Sequence, residues 1–136
     1  MRKVLVFGTF DGIHEGHRAF LRQARAYGDH LIVAVAPDEV VERLKHHPPR
    51  RNLEARIDAL EAEMVADLVV PGDAEISTYG VVKGHRPDTI ALGYDQETLK
   101  EDLKQHLSDF NWHVELAILA PYGPTKYRNR CSTRAS

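Results

Sequence analysis

The sequence predicts an α/β fold: a five-stranded, mostly parallel sheet with helices on both faces. Three observations carry that expectation. Short apolar runs at 3–7, 30–36, 66–70, 89–92 and 113–119 alternate with stretches of helical character at 18–27, 38–45, 53–63 and 96–107. Such alternation joins parallel strands through right-handed crossovers. The second and fourth runs are almost uninterrupted apolar sequence, as strands covered on both faces require. Gly8, Pro37, Gly72 and Gly93 each follow a run, which marks the carboxyl rim of the sheet, where ligands bind.

Taken in order, Val4-Leu5-Val6-Phe7 supplies the first strand, and a glycine-bearing turn leads to the first helix. After the second strand, Pro37 precedes a helix for which Asp38 is the expected N-cap. His46-His47-Pro48-Pro49-Arg50-Arg51 cannot stay helical across its prolines. It reads as a charged loop, a candidate for a mobile segment over the site. In 53–63 and just beyond, Leu53, Ile57, Leu60 and Met64 recur as one apolar stripe, and Leu99, Leu103 and Leu107 repeat the pattern later. Asp95 stands ready to cap that later helix. From Pro121 onward, Pro121, Gly123 and Pro124 lead into a basic end. Nothing marks a second domain, so 1–136 reads as one.

A chain of 136 residues suits a single domain with a substantial core. No run approaches the roughly 18 apolar residues of a membrane span, and Met1-Arg2-Lys3 with its short apolar stretch does not suit a secretory signal. The single cysteine, Cys131, excludes an internal disulfide and suits a cytoplasmic protein. A formal charge of −2 argues against bulk nucleic-acid binding. Basic residues instead gather at 43–51 and 126–134, as a phosphate site requires.

The chemistry concentrates in Gly8-Thr9-Phe10-Asp11-Gly12-Ile13-His14-Glu15-Gly16-His17. Strand, glycine turn and helix start together build an anion site, because free N–H groups and the positive end of the helix dipole converge there. Two histidines three residues apart share one face of that first turn, which suits chemistry at phosphorus. No acyl-transfer triad or metal cage accompanies them. His14-Glu15-Gly16-His17 resembles the H-x-G-H signature of the nucleotidyltransferases related to cytidylyltransferases and class I tRNA synthetases. The longer form from Gly8 resembles the small cytidylyltransferase-like branch, whose fold is Rossmann-like.

Nucleotidyl transfer asks a protein to position the α-phosphate and to neutralise charge on the transition state and departing pyrophosphate. The resemblance implies His14 and His17 as donors to those oxygens, with Thr9 and the backbone from Gly8 to Phe10 close to the phosphates. Gly16 serves either that close approach or helix–strand packing. Asp11, beside phosphates, needs a metal or a backbone donor, or is a turn residue. Lys45 is the resemblance's candidate for triphosphate contact. Arg56 matches an arginine that the family places at the following helix, with a solvated surface charge as the alternative. Gly93, Tyr94 and Asp95 are placed for base, ribose or metal.

Ser132, Thr133 and Arg134 resemble the family's second signature, a hydroxyl pair and a basic residue for the β- and γ-phosphates. That match is partial, with Ala135 where the family has an aliphatic residue. Phe7-Gly8-Thr9-Phe10-Asp11, Phe20-Leu21-Arg22-Gln23-Ala24 through Gly28-Asp29, Ala91-Leu92-Gly93-Tyr94-Asp95-Gln96 and Cys131-Ser132-Thr133 are similar to archaeal-type FAD synthases. That likeness implies transfer of AMP from ATP to FMN with a divalent metal, Mg2+, in a homodimer. Glycerol-3-phosphate cytidylyltransferases, which use CTP, share both signatures. No residue separates adenine from cytosine on physical grounds, and a non-catalytic nucleotide-binding protein is a third reading.

Overall fold

The computed structural model describes residues 1–75 and 78–121. Its elements run β1 (Lys3–Gly8), α1 (Glu15–Arg25), β2 (His30–Val35), α2 (Asp38–Lys45), α3 (Leu53–Ala62), β3 (Leu68–Pro71), α4 (Gly80–His85), β4 (Thr89–Leu92), α5 (Glu97–His106), a 3-10 turn (Leu107–Asp109) and β5 (Glu115–Ile118). The five strands form one sheet in the order β3-β2-β1-β4-β5, and every pairing is parallel.

Alternation along the strands divides the core between two faces. Val4 and Val6 of β1 and Leu31, Val33 and Val35 of β2 join Leu21 and Ala24 of α1 and Leu60 of α3. Leu5, Ile32, Ala34, Ile90 and Leu92 point the other way and join Val82 of α4 and Leu103 of α5. β2 and β4 are buried on both sides, which is why their sequences read as continuous apolar runs. The Rossmann-like expectation therefore holds, and the described sheet is parallel throughout.

β1 pairs with β2 all the way to Gly8 but with β4 only at Val4 and Leu5. The carboxyl ends of β1 and β4 therefore separate. This is the switch point of the topology, where parallel sheets open to ligands.

Several local expectations are corrected. α1 starts at Glu15, three residues before its apolar pattern, because His14 is its N-cap. Asp38 is not a cap: Pro37 holds the N-cap position and Asp38 is the first helical residue. Asp95 does not cap α5, whose N-cap is Gln96 with no side-chain cap bond. α4 was not legible, since six residues with only Val82 fully buried carry no periodic signal. Met64 leaves the stripe that Leu53, Ile57 and Leu60 form.

Met64 lies just past the C-cap Glu63 of α3, at φ 58°, with 87% of its surface exposed. The chain needs a left-handed residue here to end the helix, a role glycine fills without the Cβ penalty. Met64→Gly should leave stability unchanged or raise it by up to about 1 kcal/mol in urea unfolding. A loss of roughly 2 kcal/mol or more, as for a buried methionine, would restore Met64 to the core.

Candidate functional site

Behind β1 the chain turns at Phe10, which takes a left-handed conformation with φ 53°. Its buried ring folds back over Gly8, where a Cβ would lie 2.4 Å from Phe10 Cε2. The room at Gly8 thus seats the phenyl ring. The same ring lies 5.3 Å from that of His17.

The first turn of α1 caps itself with histidines. His14 Nδ1 accepts from the backbone N–H of Gly16 at 3.0 Å, and His17 Nδ1 accepts from the backbone N–H of His14 at 3.3 Å. This is a capping box in which imidazoles stand where serine and glutamate usually do. A Cβ at Gly16 would sit 2.9 Å from His14 Cε1. Gly16 therefore seats the His14 ring, a role the sequence did not suggest. The rings stack at 3.8 Å with 28° between their planes. A Nδ1 that accepts a hydrogen bond carries no proton, so each neutral ring holds its proton on Nε2.

Burial holds His17 below the ordinary histidine range, with the neighbouring His14 acting in the same direction. The Gly12 carbonyl and Asp95 oppose the shift, and Lys45 adds to it. The structure thus brings His14, His17, Lys45 and Asp95 into one electrostatic neighbourhood at the sheet rim. Lys45 and Asp95 are exposed there, as is Tyr94 at 48% beside the half-buried Gly93. Thr9 and the turn residues complete the rim on the β1 side.

Two residues of the candidate site carry internal bonds, and for Asp11 these are the backbone donors that the sequence reading allowed. Asp11 accepts the backbone N–H groups of Arg50 at 2.7 Å and Arg51 at 3.1 Å, and these donors hold its carboxyl below the usual range despite some desolvation. The end of the charged loop at 46–51 is therefore bonded to the turn that follows β1. Arg56 has no exposed surface. Its guanidinium donates to Arg51 O at 2.9 Å, Thr9 O at 2.9 Å and Asp38 Oδ1 at 2.6 Å. It is not a surface charge; it ties the turn, the loop and the start of α2 together. Ser132, Thr133 and Arg134 lie outside the described residues.

Among the described residues no group of three or more His, Cys, Asp or Glu is arranged to hold a metal ion. No described helix is long and apolar enough to cross a membrane.

A sequence model of the cytidylyltransferase-like family matches residues 5–135. The chain belongs to the cytidylyltransferase-like family. A curated FAD synthase of Pyrococcus horikoshii is 42% identical over 130 residues, covering 96% of this chain and 87% of its own. One from Aciduliprofundum boonei is 39% identical over 123 residues, covering 90% and 81%. A solved structure described as the lipopolysaccharide core biosynthesis protein of Thermoplasma volcanium superposes with a TM-score of 0.83 at 28% identity, covering 90% of this chain and 99% of that one. A pantoate-beta-alanine ligase from Francisella tularensis shares the fold at a TM-score of 0.62 and 17% identity, over 90% of this chain and 60% of that one.

The lowered proton affinity of His17 has a sign. An unfolded histidine titrates near 6.5, so below that pH the unfolded chain binds more protons than the folded one at this position. Stability should rise with pH through that window. The difference between wild type and His17→Asn in urea unfolding from pH 5 to 8 isolates the effect, and a flat difference would contradict it. Arg56→Lys tests the buried guanidinium. One ammonium cannot reach three diverging acceptors, so unfolding free energy should fall by about 2–3 kcal/mol. A change under about 0.5 kcal/mol would mean the network carries no weight.

Proposed function

We propose that this chain is an FAD synthase, an adenylyltransferase that joins AMP from ATP to the phosphate of FMN and releases pyrophosphate. The observation that carries the transferase reading is the stacked His14–His17 pair at the N-terminus of α1. The identity to FAD synthases over most of their length supports the choice of ATP and FMN.

In the reaction an oxygen of the FMN phosphate attacks the α-phosphorus of ATP. A P–O bond forms there, the bond to the bridging oxygen of the β-phosphate breaks, and pyrophosphate leaves with that oxygen. The protein has no covalent role. The Nε2–H groups of His14 and His17 donate to oxygens whose charge grows in the transition state, beside the positive end of the α1 dipole. Because the rings are fixed by the helix's own N–H groups, these donors need no reorganisation as charge develops. Lys45, exposed next to them, adds a cation for the triphosphate. Phe10 packs beside one face of His17.

A magnesium ion carried by the triphosphate would take most ligands from phosphate and water, as this ion usually does. Asp95, an exposed carboxylate at the rim, would hold it. The ion's chemistry would be charge neutralisation on the phosphates. A homodimer belongs to the same reading.

Pyrophosphate release with ATP and FMN tests the proposal, with CTP and glycerol 3-phosphate as the control pair. Activity with the control pair alone would overturn the substrate assignment. His14→Ala and His17→Ala should each lower kcat by about 10²–10³-fold while ATP affinity moves little, since a preorganised donor acts mainly in the transition state. Near wild-type turnover in both would remove the histidines from the mechanism. Lys45→Ala should instead raise KM for ATP, through loss of a ground-state contact with the polyanion; unchanged affinity in isothermal titration would make it a surface charge.

A further inference from the structure

Where β1 and β4 separate, the backbone has polar groups that no strand can satisfy. The Phe7 carbonyl is met there by a side chain: Gln96 Nε2 donates to Phe7 O at 3.0 Å. The other end of the same amide accepts from the Gly93 N–H, at 2.8 Å from Oε1. One glutamine thus bridges the two strand ends across the split. Its own N–H also bonds Gly93 O at 3.0 Å, which closes the Gly93-Tyr94-Asp95 turn tightly. Gln96 holds the N-cap position of α5 yet makes no side-chain cap bond to that helix. The amide serves the rim and not the helix.

The two turns it joins are the two sides of the proposed nucleotide cleft. Phe7 leads directly into Gly8 and Thr9, and Gly93 opens the turn that carries Tyr94 and Asp95. We infer that Gln96 is a positioning residue of the transfer reaction: acting through the main chain of Phe7 and Gly93, it fixes the separation between the phosphate turn and the β4 turn, so that one nucleotide can engage both. The inference rests on the adenylyltransferase reading of the site.

Gln96→Glu separates this role from a helical one. Glutamate keeps the acceptor for Gly93 N–H but sets an oxygen against the Phe7 carbonyl, so the two turns are pushed apart. At the N-terminus of α5 the added negative charge is otherwise favourable, and a purely helical role predicts a neutral or stabilising change. The expected result is a melting temperature within a few degrees of wild type, with KM and Kd for ATP both raised about tenfold and kcat changed less. Gln96→Met, of similar length with neither bond, should move KM and Kd in the same direction, and it carries the test should the glutamate variant fail to fold. Wild-type KM and Kd in these variants would overturn the inference, as would a loss confined to kcat. Should the wild type bind ATP without making FAD from FMN, the substrate reading fails. The comparison of ATP Kd by isothermal titration then still decides the role of Gln96.

Discussion

The first turn of α1 must satisfy N–H groups that have no partner within the helix, and it does so with imidazole nitrogens. Serine, threonine or aspartate would cap as well, but they would consume the position without adding a second donor. A histidine capping through Nδ1 keeps Nε2–H for something else. Two of them, stacked and bonded into the same turn, give a pair of fixed donors where the helix dipole already favours an anion. Gly16 follows from this, since any Cβ would strike the His14 ring. So does the burial of His17 against Phe10, which keeps that ring in its neutral, donating form. Fold and chemistry meet in one turn of helix.

Beneath that turn lies a second layer. A guanidinium with no exposed surface is tolerated only with its donors satisfied, and Arg56 finds acceptors on the phosphate turn, the 46–51 loop and Asp38. Asp11 adds two backbone bonds from that loop back to the turn. The basic segment carrying Arg50 and Arg51, which follows Lys45, is thereby held against the turn that leads into α1. On the other side of β1, Gln96 does comparable work with one amide. The rim of the sheet is fixed on both flanks of the central strand.

The sheet and the histidine pair were legible in the sequence because both are written locally: apolar runs of strand length, and a ten-residue turn with its histidines at fixed spacing. The partnerships were not. Arg56 reads as a ligand or a solvated charge and Asp11 as a metal holder, a backbone acceptor or a turn residue, and only contacts across 18 to 47 positions reveal which partners they tie together. Asp38 looked like a cap because an acid after a proline at a helix start is a cap in most settings; its carboxylate was claimed by Arg56 instead. Met64 kept the helical spacing of its stripe, but spacing does not show that the backbone has already turned left-handed. Gln96 is amide-bearing, which made it unremarkable beside the acid and aromatic that precede it. A signal was present in retrospect, since a parallel pair as short as β1 and β4 leaves a carbonyl that some side chain must meet.

The central claim is that both imidazoles accept main-chain N–H groups through Nδ1 and keep the proton on Nε2. Nitrogen-15 NMR of the histidine side chains at pH 8 measures this directly, with His14→Gln and His17→Gln variants to assign the signals. Nδ1 of imine type and Nε2 of protonated type for both residues is the expected spectrum. A proton on Nδ1 of either ring would contradict the capping box, and with it the source of the two phosphate-facing donors.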